Sequence, residues 1–137
     1  MELLERNQQL IDAFRADKNK VDGKFGGRAL LLVTTIGAKS GARRTSPVAY
    51  TADGDQWVIM ASNNGQEVHP NWYRNLRANP QVTVEVGNET FEATAATAEG
   101  AERARLWTKV VAGMPGFGEY QAKIQRQIPV VVLSRHK

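Results

Sequence analysis

The residues of this chain best placed to do chemistry are cations, hydroxyls and amides set among glycines, in four short segments. The first is Gly37-Ala38-Lys39-Ser40-Gly41, followed by Arg43 and Arg44. Glycines let backbone amides approach an anion, Lys39 and the arginines add charge, and Ser40 adds a hydroxyl donor. The spacing before Lys39 is wrong for a Walker loop. By itself the segment reads equally well as a phosphate cradle or as a solvated basic hairpin. The second segment is Thr45-Ser46-Pro47-Val48-Ala49, where a proline implies either a plain edge strand or a bulge that turns strand amides toward a ligand. The third, Met60-Ala61-Ser62-Asn63, ends an apolar run in small polar residues. It would leave room for a flat ring with Ser62 at its edge, and it is also what a routine strand end looks like. The fourth, Asn71-Trp72-Tyr73-Arg74-Asn75, mixes two aromatic side chains suited to a core with an unusual density of polar ones.

What is missing narrows the chemistry further. The sequence has no cysteine, which removes disulfides, thiolate nucleophiles and cysteine metal sites. His69 and His136 stand in no ligand spacing. No Ser/His/Asp, Cys/His or paired-carboxylate set emerges. An enzyme with this sequence must therefore borrow its hard chemistry from a cofactor. The net charge of +4 favours an anionic partner. No helix-turn-helix, zinc finger or basic-aromatic repeat supports nucleic acid as that partner.

Elements to position these segments can be read along the chain. Its 137 residues suit one domain, 1–137. Leu3, Leu4, Leu10, Ile11 and Phe14 recur at helical spacing and predict an amphipathic helix over 2–18, packed on the body of the fold, with a membrane-surface or partner contact as the other reading. Gly23, Gly26 and Gly27 punctuate the loop after it. Strands are predicted at Ala29–Thr35 (buried on both faces), Arg43–Thr51, Gln56–Ser62, Val82–Val86, Glu89–Ala95 and Pro129–Leu133. Asp53-Gly54 is a hairpin turn. A short helix starts at Pro70 and ends near Asn79-Pro80, and a longer one runs from a Thr97 cap to about Ala112. Six strands with hairpin-length links point to a mainly β fold with flanking helices, an antiparallel sheet closed into a barrel. No run approaches the roughly 20 apolar residues of a membrane span, and the start lacks a signal-peptide pattern, so the expected residence is cytoplasmic.

Taken in order, these segments resemble the deazaflavin-dependent nitroreductase family, whose members use coenzyme F-420, an 8-hydroxy-5-deazaflavin, and many of which reduce quinones. The matching residues run from Leu30 to Gly41, Arg44 to Val48, Asp53 to Asp55, Ala61 to Gly65 and His69 to Pro80. They continue with Pro115, Tyr120-Gln121, Arg126 and Ile128 to Val132. The resemblance implies a split β-barrel of the flavin-mononucleotide-binding, pyridoxamine-phosphate-oxidase-like type. It implies cofactor contacts at Ala38, Lys39, Ser40, at Arg44, Thr45, Ser46, Pro47, Val48, Ala49, at Met60, Ala61, Ser62, Asn63, and at Asn71, Trp72, Tyr73, Arg74, Asn75. The basic turn would face the phosphate and oligoglutamate tail. Tyr120 would stand near ring and substrate, and with Ser62 would orient the acceptor or deliver a proton. Hydride transfer to a quinone, nitro compound or similar flat acceptor is the activity implied. Flavin mononucleotide on the same barrel and a non-catalytic carrier are the alternatives, and such barrels commonly pair into homodimers. Two positions depart from the pattern: Asn63 replaces a frequent lysine, and Phe117 stands where many relatives carry tyrosine.

Overall fold

The computed structural model describes residues 2–25 and 28–136, with the side chains of Glu2–Arg6 also left aside. Gly26 and Gly27, and the side chains of Leu3 and Leu4, lie outside the described residues. Among the described residues, four α-helices, α1 (Glu2–Ala16), α2 (Asn71–Ala78), α3 (Gly100–Gly113) and α4 (Gly116–Lys123), flank seven strands. The strands are β1 (Lys24–Phe25), β2 (Arg28–Ile36), β3 (Arg43–Asp53), β4 (Gln56–Met60), β5 (Gln81–Val86), β6 (Glu89–Thr97) and β7 (Val130–Arg135). Their order is β1-β2-β3-β4-β7-β6-β5, every pairing is antiparallel, and β5 returns to β2. That last pairing closes β2 to β7 into a six-stranded barrel, which removes the exposed edges an open sheet would present.

The apolar run in β2 has a physical reason. Leu31, Leu32, Val33, Thr34 and Thr35 are all buried, because the strand is covered on both faces. Leu31 and Val33 point into the barrel core with Ile59, Val84, Val131 and Leu133, whereas Leu32 packs outward on Ile11 and Phe14 of α1. The helix thus spends its apolar stripe on the barrel, and each such residue contributes about 2 kcal/mol by leaving water. A second outer cluster sets Leu106 and Val110 of α3 against Val58, Met60, Val130 and Val132. Asp53, at the β3–β4 hairpin, holds α3 from the other side through Arg105 (3.1 and 3.0 Å) and Lys109 (3.0 Å). These bonds drive its carboxyl far below the usual range.

One expectation needs correction, and two elements go beyond those read from the sequence. Thr97 does not cap α3. It is the last residue of β6, paired with Val131, and Glu99 occupies the N-cap position without a side-chain cap bond. Helix α4, over Gly116–Lys123, was not among the elements read from the sequence; Pro115 precedes its first turn, and Phe117 and Tyr120 tether it to the outer cluster. The two-residue β1, paired with β2, was also not anticipated.

Candidate active site

The barrel is split. β3 pairs with β2 along Arg43–Ala49, but it pairs with β4 only along Tyr50–Asp53. Beyond Ile59, β4 leaves β3 and continues beside β7 alone, with Met60 opposite Val130. One edge of Arg43–Ala49 is therefore without a strand partner among the described residues, and its backbone groups remain available to a flat ligand. Pro47 sits within this half of the strand, where a missing N–H does least harm. Register sorts the side chains. Thr45 and Pro47 share a face with Thr34 and Leu32 on the α1 side, and the Thr45 and Thr34 hydroxyls lie 2.8 Å apart. Arg44, Ser46 and Val48 share the opposite face with Thr35, Val33 and Leu31.

The ends of β2, β4 and β6 and the starts of β3, β5 and β7 all fall at the same mouth of the barrel, and α2 lies across it. Asn75 anchors one side of α2: its Oδ1 accepts the Ala38 N–H (3.0 Å) and its Nδ2 donates to Thr35 Oγ1 (3.1 Å). Tyr73, itself buried, anchors the other side, its hydroxyl 3.0 Å from Thr97 Oγ1. Both side chains are thus engaged within the protein. Trp72 packs on the barrel core, while Asn71 and Arg74 are exposed.

The basic turn is built by its own hydrogen bonds. Gly37 N–H donates to Ala42 O (2.7 Å), Gly41 N–H to Gly37 O (2.9 Å), and Ala42 N–H to Ser40 Oγ (3.1 Å). Gly41 has φ +70°, a conformation that suits glycine, and a Cβ on Gly37 would meet Ser40 Oγ at 2.6 Å. Lys39, Arg44 and Arg74 are exposed and make no ion pair among the described residues. Arg43 differs, turning to Thr83 Oγ1 (3.2 Å).

After Met60 the chain enters a turn with Asn63 at φ 49°, Asn64 at φ 55° and Gly65 at φ 81°. Ala61 and Ser62 are buried, and Asn63 is half-buried with its Nδ2 donating to Val68 O. Tyr120 lies over this turn: a Cβ on Gly65 would stand 2.8 Å from its ring. The ring also meets Phe117 edge-on at 6.3 Å and is part of the outer cluster. A cavity of about 590 Å³ opens at the same mouth, lined by His69, Tyr73, Thr97, Arg103, Gln127 and Pro129 among others. Of the residues expected to hold a cofactor, Tyr73 alone lines it. Sequence reasoning named neither His69 nor Arg103 as a site residue. His69 is held below its ordinary pKa, first by burial and then by the charges of Arg126, Arg77 and Arg74.

A split barrel with a half-free strand edge, beside cations that make no ion pair among the described residues, has the chemistry to receive a flat anionic ligand. The profile of the F420H(2)-dependent quinone reductase family matches residues 6–135. An F420H(2)-dependent quinone reductase of Mycobacterium tuberculosis is 38% identical over 135 residues, covering 93% of this chain and 91% of that one. A solved F420-H2 dependent reductase is 39% identical, with a TM-score of 0.71 over 77% of this chain and 93% of its own. A solved domain-swapped dimer is 33% identical, with a TM-score of 0.73 over 93% of this chain and 99% of its own. At the level of fold alone, the haem-storage protein HutZ of Vibrio cholerae aligns with a TM-score of 0.56 at 19% identity, covering 94% of this chain and 89% of that one. The protein is a split-barrel oxidoreductase. It belongs to the F420H(2)-dependent quinone reductase family, and coenzyme F-420 is its cofactor.

Proposed function

We propose that the chain passes a hydride from reduced coenzyme F-420 to a quinone held over the split edge of the barrel. The observation that carries this is that Lys39, Arg44 and Arg74, exposed and without an ion pair among the described residues, sit at the mouth where β3 loses its strand partner. Lys39, Ser40 and Arg44 would take the anionic tail, with Ala38, whose N–H is held by Asn75, fixing the turn that presents them. The β3 edge from Arg44 to Ala49 would hold the ring by its backbone, joined by Met60, Ala61, Ser62 and Asn63, with α2 (Asn71 to Asn75) as the wall. When bound, the deazaflavin supplies two-electron hydride chemistry, because carbon stands where a flavin has N5.

The chain's own work is then to bind, orient and exclude water. Asn75 and Tyr73 fix α2, while Trp72 adds apolar surface. Ser62 and Tyr120 are the hydroxyls that would orient the acceptor or deliver its proton. No helix among the described residues is long and apolar enough to cross a membrane. Residence in the cytoplasm and pairing into a homodimer belong to the proposal, the latter supported by the domain-swapped relative. Separate fluorescence titrations with F-420 and flavin mononucleotide, then stopped-flow oxidation of reduced F-420 by a soluble quinone, test the reading. Tighter F-420 binding and quinone-dependent oxidation are expected. Equal affinities, or binding with no oxidation by quinones or nitro compounds, would refute it, the latter leaving a carrier.

A further inference from the structure

We infer that Arg126 is a positioning residue for the cofactor loop, setting the conformation of residues 61–66 from outside the groove. The inference rests on the reading that Met60 to Asn63 lies against the cofactor. Arg126 stands between α4 and β7, and its guanidinium is spent on backbone carbonyls of this one loop. Nη1 donates to Ala61 O (3.2 Å), Nη2 to Ser62 O (2.8 Å) and Nε to Gln66 O (3.0 Å). Nη1 also lies 3.1 Å from His69 Nδ1. Glu67 ties the same two segments in the opposite sense, its carboxylate accepting the Gln125 and Arg126 backbone N–H groups. Gln121 of α4 holds the strap in turn, through Arg126 O and the Ile128 N–H.

The loop needs such a clamp. Asn63, Asn64 and Gly65 are left-handed in succession, a conformation that L-residues adopt only when their surroundings enforce it. Within the loop, Gly65 N–H to Ser62 O and Gln66 N–H to Asn63 O close two tight turns, neither of which reaches the rest of the protein. A planar fork with five donors can gather carbonyls from three residues at once; an ammonium on a flexible stem cannot hold that geometry. His69 completes the device. It accepts from Arg126 only while Nδ1 is unprotonated, and burial first, then Arg126, Arg77 and Arg74, oppose its protonation, with Glu67 the acid beside Arg126.

The test combines hydrogen–deuterium exchange on the cofactor-free protein with F-420 titration and quinone kinetics, well below the melting temperature. Arg126→Ala should raise exchange across 61–67 while leaving β2 and β5 protected. It should also weaken F-420 binding by about tenfold or more, the value of a lost charged hydrogen bond. Arg126→Lys should recover only part of that loss, and millimolar guanidinium should restore affinity to Arg126→Ala but not to Lys39→Ala. Unchanged exchange at 61–67 in Arg126→Ala overturns the clamp. A loosened loop with F-420 affinity within twofold of wild type overturns the positioning role. If Arg126→Ala does not fold, Arg126→Lys and His69→Gln carry the same two readouts: unchanged exchange in both again overturns the clamp, and unchanged affinity beside a loosened loop overturns the positioning role. If the wild-type protein binds no F-420 while the loop still loosens, the functional reading falls and the clamp stands.

Discussion

Asn75→Ala isolates the contact that joins α2 to the basic turn. The side chain is buried and makes two bonds of opposite sense, accepting from the Ala38 N–H and donating to Thr35 Oγ1. A net hydrogen bond contributes about 0.5–1.5 kcal/mol, so the pair sums to roughly 1–3 kcal/mol. The two halves are unequal. Ala38 is exposed, and water replaces the lost acceptor, whereas Thr35 is fully buried and its hydroxyl loses its donor without compensation. We therefore expect about 2 kcal/mol of destabilisation, a fall of roughly 6–8 °C in Tm for a domain of this size. Because the bond to Ala38 fixes the turn that carries Lys39 and Ser40, F-420 affinity should fall as well. A cycle with Thr35→Val separates the two effects. The coupling energy should be about 0.5–1.5 kcal/mol in urea unfolding, while Thr35→Val alone should leave cofactor affinity nearly unchanged. Stability within 0.5 kcal/mol of wild type and unaltered affinity in Asn75→Ala would refute the view that α2 positions the turn.

Alanine at Lys39 or Arg44, both exposed, should each weaken F-420 binding by only about 1 kcal/mol, and the salt dependence of affinity should flatten in the double variant; an unchanged salt slope would make the turn a solvated hairpin. Tyr120→Phe should leave folding and cofactor affinity near wild type and slow quinone-dependent oxidation in stopped flow, whereas a wild-type rate would remove the hydroxyl from the reaction. Gly65→Ala places a methyl 2.8 Å from the Tyr120 ring at φ 81° and should cost about 1–3 kcal/mol, read from denaturant midpoints; a neutral result would mean that the ring moves freely. His69 has a folded pKa below its ordinary value near 6.5, so its contribution to stability is complete above about pH 6.5 and is lost as pH falls through the folded pKa; Tm of wild type against His69→Gln across that range should converge on the acid side.

Alternation and turn chemistry made the strands legible. Val82, Val84 and Val86 declare the buried face of β5, and Asp53-Gly54 marks the β3–β4 hairpin, because period-two burial and left-handed turns leave direct traces in residue type. Pro47 announced the free half of β3 for the same reason. The four site segments were each ambiguous alone; order and spacing made them a family pattern. Helix α4 was hidden because two glycines mask its periodicity, and what stabilises it is tertiary, the packing of Phe117 and Tyr120. Thr97 misled because a hydroxyl before a helical stretch also suits a strand end that bonds a distant tyrosine. The roles of Asn75 and Arg126 were not readable at all: each spends its side chain on a segment remote in sequence, 40 and 64 residues away, and no local pattern encodes that.

The place of β7 in the sheet fixes when the site can exist. β7 lies between β4 and β6, reaching back 78 residues from Ser134 to Gln56. Until that strand is in place, β4 and β6 have no shared neighbour. A nascent chain can assemble the β2–β3 and β5–β6 hairpins early, yet the divergence of β3 from β4 becomes a groove only once β7 draws Met60 to its side. The groove is therefore a property of the closed barrel and not of any one hairpin: without β7 at its side, Met60 would have no partner to draw it away from β3.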